Sequence, residues 1–462
     1  MQQTGEHLLS LFPFTPTPEQ KNLFEQVAVF LNDNSAGKSV FLLTGYAGTG
    51  KTTCLKALYT AAKKIGYRLS LLAPTGRSAK IISKNTKQKA HTLHREIYQQ
   101  TRQPYSGAAE FKLKRNYKKK CLFIVDEASM ISGTENENGR NLLADLISFV
   151  FENPGNKLIL TGDSAQLPPA GEPLSLALDT EILQYVYQLK VSAVQLKEVS
   201  RQQQGSGILL NATALRNTLQ NRVQHFRFQE RPFRDFFLLP EEKLMDGLTY
   251  AYEKYGQGNA VLICATNRES FHFNRKIREI ILKRTSPIEK GELLIVNRNN
   301  YNVLPGRSKL GFLANGEFAE VVEVNEEESY GSFGFINLVL RLPDYPKQAA
   351  FSCKILKETL LSPEASLDEA RNQELFKLIL DKYSPIKTRS RQVKAIRQDP
   401  YLNSLHVKYA YALTCHKAQG GQWGAVFVHQ GVRQQKNFTT DKIRWLYTAL
   451  TRAVKELYLI ES

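Results

Sequence analysis

The chain has 462 residues, 42% of them hydrophobic and 10% aromatic, which is enough apolar material for several buried cores and argues against a mostly disordered protein. Lys and Arg number 62 against 44 Asp and Glu, and the resulting charge of +18 favours a polyanionic partner, either nucleic acid or an anionic membrane surface. No run approaches the ~18 consecutive apolar residues of a membrane span, no export signal opens the chain, and five widely spaced cysteines form neither a disulfide framework nor a metal knuckle, so a cytoplasmic setting is expected.

In chain order, TPEQKNLFEQVAVFLN predicts a helix, with Thr17 as cap, Pro18 in the first turn, and Leu23, Val27 and Phe30 on one face. SVFLLTG is an apolar run ending in glycine, the pattern of a buried parallel strand. TTCLKALYTAAKKIG follows with Leu55, Leu58, Ala62 and Ile65 at helical spacing. Short buried strands recur at LSLLAP, CLFIVDE, KLILTGD and AVLICAT, with helical stretches between them, and this alternation predicts an open, mostly parallel α/β sheet. From about Lys290, ELLIVNRNNYNVL, GEFAEVVEV and FINLVLRL read as short strands joined by Asn/Gly turns, a small β-domain in which EVVEVNEEES is a solvated edge. Residues 355–400 are polar and helix-prone with a basic end, KTRSRQVKAIRQ, and α/β texture returns at VKYAYAL. The β-rich piece therefore reads as an insertion into a second α/β lobe.

Three segments carry chemistry. GYAGTGKT, Gly45 to Thr52, matches the phosphate-binding loop GxxxxGK[ST] between a strand and a helix, so that backbone N–H groups and the helix N-terminus face phosphate. Lys51 would reach the β- and γ-phosphates, and Thr52 would ligate Mg²⁺. FIVDEASM puts two carboxylates at the end of a buried strand, where Asp126 would hold the Mg²⁺ shell and Glu127 would orient or deprotonate the attacking water. In LILTGDSAQLPPA, Gln166 is an amide that can contact both γ-phosphate and water, on a turn fixed by prolines.

The order of these segments resembles that of superfamily 1 helicases, and within them the RecD/Dda-like group. The resemblance runs almost end to end, through TPEQ, GYAGTGKT, APTGRSA, HTLH, DEASM, GDSAQLPP, LKEVSRQ, ATNRESFHFN, YALTCHKAQGGQW and LYTALTRA. It implies two RecA-like P-loop lobes with parallel sheets and ATP between them, plus a small SH3-like β-domain inserted in the second lobe. The implied first lobe is 1–190, with a pin-like insertion at about 99–120. The second is 191–285 and 405–462, and the inserted domain, with a helical and basic extension, is 286–404.

The same resemblance assigns Gln20 to the adenine, and Gly45, Gly48, Thr49, Gly50, Lys51, Thr52 and Thr53 to the phosphates. Gly420 and Gln422 join the nucleotide set from the second lobe, Gln422 standing where many relatives have Glu. Arg201 and Arg452 become arginine fingers that complete the γ-phosphate cage when the cleft closes. Pro74, Thr75, His94, Thr414 and His416 would line the nucleic-acid track by contacts that read no base identity. His91 and His94 have no third or fourth ligand near them, so a metal site there is not expected. The implied activity is ATP-dependent, 5′-to-3′ travel of a monomer on single-stranded and forked DNA, with no membrane or obligate protein partner. Two rivals are an RNA-acting superfamily 1 helicase and a nucleic-acid-stimulated ATPase that binds or remodels without unwinding.

Overall fold

The computed structural model describes the chain apart from Met1, residues 34–36, 102–109, 136–138, 199–204, 222–225, 306–307, 309, 365, 431–438 and Ser462. A six-stranded parallel sheet organises the N-terminal half, in the spatial order Ala90–Thr92, Arg68–Ala73, Cys121–Val125, Lys157–Gly162, Ser39–Gly45, Lys190–Leu196. Helices cover both faces, which is why the central strands are apolar throughout. Alternate residues serve opposite cores: Phe41 and Leu43 pack with the helices Pro18–Asn32 and Lys51–Lys64, while Val40 and Leu42 pack towards Leu142–Val150.

The strand Lys190–Leu196 lies in register beside Ser39–Gly45, Leu43 opposite Val194, and so carries the first sheet past the boundary expected at 190. A helix that the sequence reading lacked, Gln2–Leu11, buries Leu8 in the same core, and its Thr4 Oγ1 accepts from Asn32 Nδ2 at 3.1 Å.

The second parallel sheet has five strands, in the order Ala412–Thr414, Ala260–Cys264, Trp423–His429, Ala453–Glu461, Phe236–Pro240. Between its pieces lies an antiparallel five-stranded sheet, in the order Phe351–Leu356, Phe333–Arg341, Phe318–Tyr330, Leu293–Val296, Val407–Tyr409. The α/β texture therefore resumes at Ala412, not at Val407: Val407–Tyr409 pairs with Leu293–Val296, and the buried Ala410 and Tyr411 make the crossing.

Residues without an expected fold form the helices Glu369–Tyr383 and Arg389–Gln398, whose Leu375, Ile379 and Ile396 pack with Phe333 and Phe335 at one end of the antiparallel sheet. The glutamates read as a solvated edge are largely paired: Glu320 with Arg341 at 2.8 Å, Glu327 with Lys357, and Glu328 with Lys354.

In the stretch expected to hold a pin, Tyr98–Thr101 and Glu110–Leu113 form an antiparallel ribbon, and 102–109 lie outside the described residues. Among the described residues, no helix is long and apolar enough to cross a membrane.

Candidate active site between the two parallel sheets

The phosphate loop leaves the buried strand Ser39–Gly45 and enters the helix Lys51–Lys64 through Gly48 and Gly50, at φ +79° and +83°. These left-handed conformations favour glycine, and a Cβ on Gly50 would also sit 3.0 Å from Gln20 Nε2. Within the loop, Lys51 Nζ donates to the carbonyls of Gly45 and Tyr46 at 2.6 and 2.9 Å, and Thr49 Oγ1 donates to Tyr46 O at 2.8 Å. Gln20 sits against this loop, buried. Its oxygen accepts from Thr17 N in a capping box, and its Nε2 donates to Thr49 O at 3.1 Å. The residue assigned to the adenine thus also ties the first-lobe helix to the phosphate loop.

Asp126 and Glu127 follow the buried strand Cys121–Val125. Glu127 takes a left-handed conformation, φ +54°, and its N–H donates to Asp126 Oδ1 at 3.0 Å. Burial and the neighbouring Glu127 push the Asp126 carboxyl up, against a smaller pull from Lys51. A carboxyl pair so placed suits a divalent cation. Thr52 and Asp126 would hold it, and it would supply charge neutralisation to phosphate. Ser129 Oγ and Gln166 Oε1 are buried polar atoms without a hydrogen-bond partner, which fits a site built for a polar ligand.

Facing this array is one stripe of the helix Thr440–Leu450, capped by Thr439 Oγ1 accepting from Lys442 N. Arg444, Tyr447, Thr448 and Thr451 fall at i, i+3, i+4 and i+7, so the first three share a face that meets the first lobe. Arg444 donates to Pro173 O at 2.7 Å. The Tyr447 hydroxyl accepts from Ala47 N in the phosphate loop at 2.9 Å and donates to Asp163 Oδ2 at 2.6 Å. Thr448 Oγ1 accepts from Leu167 N at 2.8 Å, and Gln419 Nε2 donates to Leu167 O at 2.8 Å. Tyr46, Ala165, Ala212 and Tyr447 form a small apolar cluster behind these bonds.

Arg452, 4% exposed, donates to Thr448 O, Gly421 O and Thr451 Oγ1 at 3.0, 3.4 and 3.2 Å, all neutral acceptors. Arg201 lies outside the described residues. Gly420 packs on Ser78 and Thr75, and the exposed Gln422 offers its carbonyl to Arg77 at 3.1 Å.

The expected nucleic-acid residues take distinct surroundings. Pro74 is half-buried, and Thr75 caps the helix Gly76–Thr86 by accepting from Ser78 N. His94 is half-buried and packs 5.6 Å from the Tyr98 ring; His416 is exposed, beside the half-buried Thr414. Desolvation lowers both imidazoles, so each is neutral at pH 7 and offers an uncharged N–H.

Sequence reasoning missed Arg77, whose guanidinium stacks 4.0 Å from the Trp423 ring and 4.6 Å from Phe318, joining the first lobe to the other two sheets. Burial lowers it to about 10, against the pull of Asp344. Gly76 beside it approaches the antiparallel sheet so closely that a Cβ would meet Tyr345 Oη at 2.5 Å.

A family model of an AAA domain matches residues 16–231, and one of the UvrD-like helicase C-terminal domain matches 409–460. The ATP-dependent RecD2 DNA helicase of Deinococcus radiodurans is 35% identical over 164 residues, 34% of this chain and 20% of the relative. An uncharacterised protein of Methanocaldococcus jannaschii is 24% identical over 456 residues, 91% of this chain and 36% of the relative. The match therefore spans well under two thirds of either relative. A solved Pif1 helicase from Bacteroides, in complex with ADP-AlF3 and ssDNA, is 18% identical, with 97% of this chain and 93% of that chain covered and a TM-score of 0.48. With the two domain models in this order and the RecD2 match beside them, the chain is similar over these segments to superfamily 1 helicases of the RecD-like group.

Proposed function

We propose that this chain is an ATP-dependent DNA helicase that translocates on single-stranded DNA in the 5′-to-3′ direction and unwinds forked duplexes. The observation that carries the reading is the buried Arg452 guanidinium, held only by neutral oxygens, in the turn that follows the helix docking Tyr447 onto the phosphate loop. A cation so placed is a ready partner for the γ-phosphate. In this reading Lys51 and the loop amides hold the phosphates, Gln166 and Glu127 orient water, and Asp126 with Thr52 holds Mg²⁺. Arg201 acts with Arg452 from the second lobe. Closing and reopening of the cleft alternates the grip of Pro74, Thr75 and His94 with that of Thr414 and His416, which turns each cycle into a step. The nucleotide set otherwise follows the motif: Gln20, Gly45, Gly48, Thr49, Gly50, Thr53, Gly420 and Gln422.

The test is ATP turnover with single-stranded DNA or RNA, followed by unwinding of duplexes carrying a 5′ or a 3′ tail. Turnover stimulated by DNA, unwinding only from a 5′ tail, and loss of turnover in Lys51→Ala are expected. Unwinding from a 3′ tail alone overturns the polarity. Stimulation by RNA alone makes it an RNA motor, and turnover without strand separation makes it a remodelling ATPase.

A further inference from the structure

The turn Asp163–Leu167 belongs to the first lobe but is held largely by the second. Tyr447 binds the Asp163 carboxylate, Thr448 accepts the Leu167 N–H, and Gln419 donates to the Leu167 carbonyl. The other Asp163 oxygen accepts from Ala165 N at 3.0 Å, and Gln166 N closes the turn on Asp163 O at 3.2 Å. Gln166, which projects from this turn, is 7% exposed and its oxygen has no partner. The same Tyr447 hydroxyl takes the Ala47 N–H, a backbone donor of the loop built to hold phosphate. It is 1% exposed and completes both bonds with one oxygen.

We infer that Tyr447 is a positioning residue: its hydroxyl links the phosphate loop to the Gln166 turn, so that Gln166 is set for hydrolysis only while the second lobe is docked. This inference rests on the reading of the cleft as an ATP site. Physically, a single oxygen that accepts from Ala47 and donates to Asp163 fixes the distance between the two segments, and each bond polarises the other. Thr448 and Gln419 fix the far end of the same turn. Undocking the helix Thr440–Leu450 removes all three restraints together, because they lie on one rigid element and its neighbour. Nucleotide can still bind to the loop, whereas the water-orienting amide loses its place. The bond therefore governs turnover more than affinity.

Tyr447→Phe keeps the ring in its apolar cluster and deletes the two hydrogen bonds. Loss of a bond to a charged group corresponds to about a ten- to hundredfold fall in kcat for DNA-stimulated ATP hydrolysis, while KM for ATP and the Kd for a fluorescent ADP analogue stay within about threefold. Thr448→Val, which removes the acceptor for Leu167, should move kcat in the same direction, and the double variant should be no worse than about the poorer single one, as members of one unit behave. A purely structural role would instead lower the thermal midpoint and weaken ADP binding with it. Wild-type kcat in folded Tyr447→Phe, or an effect confined to KM, overturns the inference; should that variant not fold, Thr448→Val decides by the same criterion. Failure of the wild-type chain to hydrolyse ATP would count against the functional reading itself, a result separable from these.

Discussion

Glu317→Gln should make the protein more stable, and the gain should grow with pH. Glu317 is 5% exposed where the antiparallel sheet meets Gly76; its Oε1 accepts from Tyr345 Oη at 3.0 Å and its Oε2 has no partner. Burial is the largest cause that raises its carboxyl from 4.5 to about 8, with Asp344 adding to the rise and the Tyr345 bond and Arg95 opposing it. The folded state therefore holds this proton more tightly than the unfolded chain. The stabilisation is complete below pH 4.5, where both states are protonated, and is lost as pH rises towards 8. Within that window the slope approaches ~1.4 kcal/mol per pH unit, which amounts to a few kcal/mol between pH 5 and 8. Glutamine keeps the shape without the titration. Urea unfolding of both proteins at half-unit steps should give a difference that widens by that order across the window, other titrations cancelling. Parallel pH profiles would refute the reasoning and would mean that Glu317 is ionised in the folded protein.

Three further outcomes are expected. Glu292, fully buried, accepts from Arg278 Nε at 2.7 Å and lies 2.9 Å from Arg284, so Glu292→Ala strands two guanidinium groups and should cost about 3–5 kcal/mol in urea unfolding; a loss under about 1 kcal/mol would contradict the pairing. Arg77→Ala removes the cation–π contacts with Trp423 and Phe318 and should destabilise by about 1–3 kcal/mol, and Arg77→Lys should not fully restore it, since an ammonium has no planar face to lay on a ring; full rescue by lysine would refute the stacking role. Single-strand binding that neutralises about five phosphates should weaken roughly a hundredfold for a fourfold rise in salt, a slope near −3.5 in a titration of affinity, and a slope near zero would remove the argument from the charge of +18.

What the sequence made legible was local. The phosphate loop could be read because its strand, glycines, lysine and helix are contiguous, and the carboxylate pair because it ends a run apolar enough to be a central strand. The capping box around Thr17 and Gln20 was equally readable as T-x-x-Q, and it explains why Gln20 is buried against the loop. The harder features depend on which partner a segment finds. Lys190–Leu196 and Val407–Tyr409 are short runs that suit either neighbouring sheet, and only their registers with Ser39–Gly45 and Leu293–Val296 assign them. The spacing 444, 447, 448 marks a helix face, yet nothing local says that this face meets the first lobe. Arg77 sits in a segment read for Pro74 and Thr75, and its stacking partners lie more than two hundred residues away in sequence.

Two buried arginine environments in this molecule differ in how the charge is met. At one of them an acid accompanies the cations: Arg278 and Arg284 share Glu292, and Tyr411 donates to that same carboxylate at 2.9 Å. Each of these guanidinium groups meets a carboxylate directly, at 2.7 and 2.9 Å, although two cations on one anion leave the cluster one positive charge in excess. Arg452 is as deeply buried, yet its bonds go to two carbonyls and a hydroxyl, which orient the group and leave its charge in place. A buried cation without a carboxylate disfavours the isolated fold, since desolvation is only partly offset by neutral acceptors. In the proposed reading the arrangement becomes favourable when the γ-phosphate arrives, held by the loop onto which Tyr447 docks. On that reading, binding energy withheld from the resting fold would be available to a closed, phosphate-bound cleft, the difference in affinity between two states that a motor requires.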